Sequence, residues 1–155
     1  MSVFAYALTP FLAWFITGIL KFMVNSFREK RLAIELIGYG GLPSNHSAIV
    51  SSMATLVALK EGINIPTFGV ALTLAFIVIL DASSLRRQVG KHAAAINLPN
   101  HLRKNNPELL RERMGHTGIE IASGVVVGAL VALGVVSPVK PTFLKCCFLP
   151  VLDSL

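Results

Sequence analysis

GINIPTFGVALTLAFIVIL, residues 62–80, contains no Asp, Glu, Lys or Arg. As a helix rising about 1.5 Å per residue, a block of this length covers most of the roughly 30 Å of hydrocarbon in a bilayer. Residues 2–20, 36–59 and 121–139 form three more blocks that lack all four of those residue types. The whole chain of 155 residues is 54% apolar and 14% charged, against roughly 45–50% and about 25% in an ordinary soluble domain. The blocks and the composition together exclude a soluble fold. They predict an all-α, polytopic membrane helical bundle with about four transmembrane helices plus short cytoplasmic helices. One domain spans 1–139, and a C-terminal tail, 140–155, has no assigned role.

The first block could instead be a cleaved signal peptide, but such a leader carries its basic residues before the apolar stretch. Here Lys21, Arg28, Lys30 and Arg31 follow it, which favours a retained span. Eleven of the fourteen Lys and Arg residues fall in two segments: those four, and Arg86, Arg87, Lys91, Arg103, Lys104, Arg111 and Arg113. Two crossings separate the segments, so both lie on one side. The positive-inside rule makes that side cytoplasmic and places both termini outside. The net charge of +6 is therefore read as topology and attraction to anionic headgroups, with no nucleic-acid partner. Cys146 and Cys147 are adjacent, a poor geometry for a structural disulfide, and juxtamembrane acylation is their other reading.

Along the chain, the first helix is expected from about Val3 to beyond Lys21, with Pro10 tolerated inside it. The glycines of IGYGGLPSNHS (37–47) mark loop or re-entrant backbone, and the second helix is expected from near Ser44 to near Leu59. The third starts after Pro66 and continues past Leu80 as a cytoplasmic helix through 81–96. A polar loop, 97–107, a short amphipathic helix, 108–114, and a final span with Gly124, Gly128 and Ala132 on one face complete the reading. No internal repeat is evident.

Three polar clusters fall at the cytoplasmic ends of these spans. Lys21 and Arg28 are seven positions apart, about two turns, so they share a helix face. Gly40 to Ser47 joins glycines, Pro43, Ser44 and a helix start, which suits an oxyanion, with His46 at its mouth as a general acid. Arg86 and Arg87 offer forked phosphate donors. His116 and Glu120, four apart, offer an imidazole oriented by a carboxylate, as a nucleophilic histidine needs. Plainer readings stay open beside these: a snorkelling Lys21, an N-cap at Ser44 or Asn45, and a capping box from Thr117 to Glu120.

Taken together, over about residues 21–128, the clusters resemble the type-2 phosphatidic acid phosphatase superfamily. Within it they are closest to the divergent branch related to acid phosphatases and vanadium-dependent haloperoxidases. The superfamily signature reads K-x6-R-P, P-S-G-H and S-R-x5-H-x3-D. Lys21-x6-Arg28 matches the first element with Glu29 in place of its proline, and Pro43-Ser44-Asn45-His46 the second with Asn for Gly. The GG-x-PS-x-HSA setting, the DA-x3-RR run 81–87 and the GHT-x2-E run 115–120 point to the divergent branch. Arg86-x5-His92 has the third element's spacing, but Ile96 stands where its acid belongs; His116-x3-Glu120 has the acid and the following small-residue helix. His116 is therefore favoured as nucleophile, with His92 the alternative.

What the resemblance implies is a metal-independent phosphatase without cofactor, acting on a lipid phosphate through a phosphohistidine. In it Glu120 fixes His116, His46 serves the leaving oxygen, and Lys21, Arg28, Ser44, Arg86 and Arg87 hold the phosphoryl oxygens. The rivals are a vanadate-dependent oxidase on the same anion site and a nonenzymatic membrane protein, scaffold or small transporter, that binds anionic headgroups. Four short spans also leave surface that a second copy of the chain could cover.

Overall fold

A computed structural model describes residues 4–29, 41–100, 109–112 and 114–136. The tail from 137, with both cysteines, lies outside the described residues, as do 30–40 and 101–108. The described chain is helical without strands. Its elements are α1 (Phe4–Glu29), α2 (Asn45–Glu61), α3 (Pro66–Leu80), one π-turn (Asp81–Leu85), α4 (Arg86–Asn100) and α5 (Gly118–Val136).

Three stretches are long and apolar enough to cross a membrane: Phe4–Phe27, Pro66–Leu98 and Gly118–Val136. The helix expected as the second span is real, but its 17 residues carry three serines, a threonine, Asn45 and His46. It is the inner helix, packed against α1, α3 and α5. Helices running alternately in direction bring the C-terminal ends of α1 and α3 together with the N-terminal ends of α2 and α5. At the opposite end Lys60 sits over the Tyr6 ring, 4.6 Å from its centre, near a cluster of Leu56, Ala132 and Val136.

Burial is inverted relative to a soluble protein. Phe11, Phe15, Val70 and Phe76 are exposed, while Thr9, Thr17, Ser44, Ser47 and Ser52 are fully buried. Large apolar side chains facing outward suit lipid, and small residues inside let helix backbones approach. The buried hydroxyls are satisfied locally: Thr9 and Thr17 donate to the carbonyls of Ala5 and Ala13, one turn back. The buried face of α1 is thus Thr9, Ala13, Thr17 and Lys21, spaced four apart.

Two local expectations are corrected. The helix expected at 108–114 is absent from its described residues: 109–112 and 114 are not helical, and Leu110 bonds through both its N–H and its carbonyl to Asn97 of α4. The polar loop expected from 97 begins later, since α4 runs to Asn100. The helix through Leu98 is continuous for 33 residues, about 50 Å. That is longer than the roughly 30 Å of hydrocarbon in a bilayer.

Candidate active site

The site rests on the pairing of α2 with α5, which run parallel. Gly124 and Gly128 face α2 so closely that a Cβ on Gly124 would strike the Ser44 carbonyl, and one on Gly128 the Ala48 carbonyl and Ser51 hydroxyl. Ser51 donates to the Val125 carbonyl across the seam (3.3 Å). At the top of the seam the Ser44 N–H donates to the Glu120 carbonyl (2.9 Å). The Ser44 hydroxyl accepts from the N–H (3.4 Å) and hydroxyl (3.1 Å) of Ser47, capping α2. Ser44, expected on the phosphate, is fully buried in this cap and fixes where α2 begins.

On α5 the Glu120 carboxylate has two partners on one oxygen, Oε2: His116 Nδ1 at 3.1 Å and the Thr117 N–H at 2.9 Å. The Glu120 N–H donates back to the Thr117 hydroxyl (3.4 Å). The capping box and the imidazole–carboxylate pair, weighed as alternatives on sequence, are thus one structure. With Nδ1 engaged, Nε2 is the nitrogen left to react. His116 is 7% exposed. Its N–H donates to the Ala82 carbonyl (2.9 Å) in the π-turn, and its own carbonyl accepts from Arg87 Nη2 (3.4 Å). Gly115 reaches this position at φ 89° with Arg87 N 3.0 Å from where a Cβ would stand, so both conformation and space call for glycine.

His46, in the first turn of α2, faces His116 with ring centres 6.2 Å apart and planes at 52°. Its Nδ1 is buried without a hydrogen-bond partner among the described residues, as is Asn45 Oδ1. His46 lies outside the three spans, and its pKa is held below the ordinary histidine value, first by burial, then by the charges of Arg86, His116 and Lys21, with Asp81 opposing. Lys21, 9% exposed, is near enough to Glu120 to feel its charge. A buried cation with a carboxylate within electrostatic reach is costly in a membrane and marks a functional candidate.

The structure therefore brings together His46, His116, Glu120, Lys21 and Arg86, while Arg87 holds the main chain of His116. Arg28 is in the last turn of α1, but its side chain lies outside the described residues. His92 is exposed on α4, and among the described residues no carboxylate is bonded to it as Glu120 is to His116. Arg86 Nε donates to Asp81 Oδ2 (3.0 Å), an ion pair on the partly exposed edge. Residues five apart do not face each other on an α-helix, but the i→i+5 bonding of the π-turn aligns them. Sequence reading missed this orienting role of Asp81, the Ala82 carbonyl, and Asn25, whose side chain lies 3.1 Å from the Cβ position of Gly41. A π-turn has no residue signature that would have announced the first two, and the contact of Asn25 with Gly41 joins segments distant in sequence. Among the described residues no three His, Cys, Asp or Glu side chains gather as a metal site needs.

The family described as "Divergent PAP2 family" matches residues 4–131. The uncharacterized membrane protein YuiD of Bacillus subtilis (strain 168) is 30% identical over 131 residues, covering 74% of this chain and 83% of that protein. No solved structure matches the chain.

Proposed function

The chain belongs to the divergent PAP2 family, and from that premise we propose that this membrane protein is a lipid-phosphate phosphatase working through a phosphohistidine. The observation that carries the reading is the His116 imidazole, bonded through Nδ1 to Glu120 at 3.1 Å, with the His46 ring 6.2 Å away. Nε2 of His116 attacks phosphorus, the ester P–O bond breaks, and His46 gives its proton to the departing alkoxide. In the second step His46 takes a proton from water, the oxygen attacks phosphorus, and the N–P bond breaks to release phosphate. Lys21, Arg28, Arg86 and Arg87 stabilise the charge on the phosphoryl oxygens, and Ser44 contributes by fixing the start of α2. The substrate is a terminal phosphomonoester on a lipid, of the phosphatidate, phosphatidylglycerol phosphate or polyprenyl phosphate type, with its chains among the spans and its headgroup at the cytoplasmic face. With the shorter α2 as the fourth crossing, both termini are on the outer side.

Arg86 and Lys21, the two cationic side chains that disfavour charge on His46, are ones a phosphate would neutralise. Substrate binding thus favours the protonated general acid, because the anion offsets the charges that hold the His46 pKa down. The basic limb of the pH profile is expected at higher pH for kcat, which reports the complex, than for kcat/KM, which reports the free enzyme. Coincident limbs would contradict this coupling.

The test is phosphate release from the three lipid types by purified protein in mixed micelles, with and without chelator. Chelator-resistant release, lowered about 10²- to 10⁴-fold in His46→Ala, is expected. Vesicle binding without release from any of them would establish a nonenzymatic headgroup-binding protein instead.

A further inference from the structure

His116 follows residues 109–112 and 114–115, which are described without helix and lie against α4 and the π-turn. Three contacts lay this segment along α4 and the π-turn. At the far end, Asn97 is 1% exposed and treats Leu110 as a neighbouring strand would. Its Nδ2 donates to the Leu110 carbonyl (2.7 Å), and its Oδ1 accepts the Leu110 N–H (2.8 Å). The same Nδ2 donates to Glu112 Oε1 (2.8 Å). Midway, the Glu112 carbonyl rests on Gly90, where a Cβ would strike it. At the near end, the His116 N–H reaches the Ala82 carbonyl. Asn97 is ten residues beyond Arg87, about 15 Å along the helix, so it touches none of the reacting groups.

We propose that Asn97 and Gly90 are positioning residues for His116: the clip of Asn97 on Leu110 and the bare seat of Gly90 under Glu112 hold the strap that leads to His116 in the one register that presents the imidazole to Glu120 and His46. The inference rests on the phosphatase reading for its kinetic consequence and on geometry alone for the strap. A buried amide that spends three hydrogen bonds on a segment without other secondary structure has no packing role that an apolar residue would not fill better. Gly90 also lowers the helix propensity of α4 relative to alanine, and the close strap accounts for its presence.

Gly90→Ala separates positioning from stability, because alanine favours the helix while displacing the strap. In Gly90→Ala and Asn97→Ala, kcat is expected to fall at least about tenfold with KM within about twofold, since a displacement near 1 Å is enough for such a loss. Amide hydrogen exchange at 114–118 should quicken at least about tenfold while 124–136 keeps wild-type protection. Asn97→Asp, which keeps the acceptor but sets a carboxylate against Glu112, should be impaired, and adding Glu112→Gln should restore part of kcat. Wild-type kcat and exchange in both single variants would overturn the proposal, as would protection falling equally across α5. If wild-type protein releases no phosphate, the phosphatase reading fails, and the exchange measurement alone decides the strap.

Discussion

His116→Ala is expected to remove phosphate release by a factor on the order of 10³ or more and to abolish any acid-labile phosphoprotein trapped from labelled substrate. Losing the nucleophile removes the covalent route, leaving only the binding of phosphoryl oxygens by cations. Although His116 is buried, its main-chain bond to Ala82 and the Ser44 to Glu120 main-chain bond remain, so the protein should still unfold cooperatively in detergent. Glu120→Gln tests the partner. Glutamine can still accept one hydrogen bond but cannot stabilise an imidazole that becomes positively charged as it is phosphorylated, so a loss of roughly 10²- to 10⁴-fold is expected. His92→Ala should keep full activity. Activity retained in His116→Ala and lost in His92→Ala would reassign the nucleophile.

Gly124→Val is expected to be strongly destabilising. The atom it would strike is the Ser44 main-chain oxygen, with Ser47 Cβ at 3.0 Å beside it. Backbone cannot rotate away as a side-chain tip can, so α2 and α5 must separate. Overpacking costs about 1–3 kcal/mol and sometimes more; denaturant-induced unfolding in mixed micelles should show a loss of at least about 2 kcal/mol. Activity should fall further than stability, because separating the two helices pulls His46 from His116. Gly134→Ala, where nothing lies within 4 Å of the added carbon, should leave both measurements near wild type. Equal behaviour of the two variants would mean the seam does not set the site.

Long charge-free blocks announced α1, α3 and α5, because the cost of charge in hydrocarbon leaves a mark in composition that no packing detail can hide. The four-residue spacing of Gly124, Gly128 and Ala132 likewise announced a close seam. The site residues were legible where chemistry and helix period coincide, as in His116 and Glu120. What stayed hidden depends on contacts between distant segments. Nothing in GKHAAAINL (90–98) says that Asn97 will hold Leu110, since the same residues make a sound exposed helix. Residues 109–112 and 114 were misread as helical for the complementary reason. Their amphipathic pattern is real, but the hydrogen bonds a short helix would offer are outmatched by those waiting on α4. Ser44 was expected on the phosphate from its place in the Pro43-Ser44-Asn45-His46 match, with an N-cap as the plainer reading, and the cap is the role its hydroxyl has in the fold.

The parallel course of α2 and α5 has an electrostatic consequence apart from packing. Antiparallel neighbours, the usual outcome of short connections, set opposite dipole ends side by side and largely cancel. Here two amino-terminal ends abut, joined by the Ser44 to Glu120 bond, and each carries the equivalent of roughly half a positive charge. The backbone alone therefore concentrates about one unit of positive potential where Lys21, Arg86 and the two imidazoles meet, at the rim of a medium that screens it poorly. Unlike the side chains, this contribution cannot be titrated or removed by a point substitution. It makes the attraction for anions a property of how the chain is threaded.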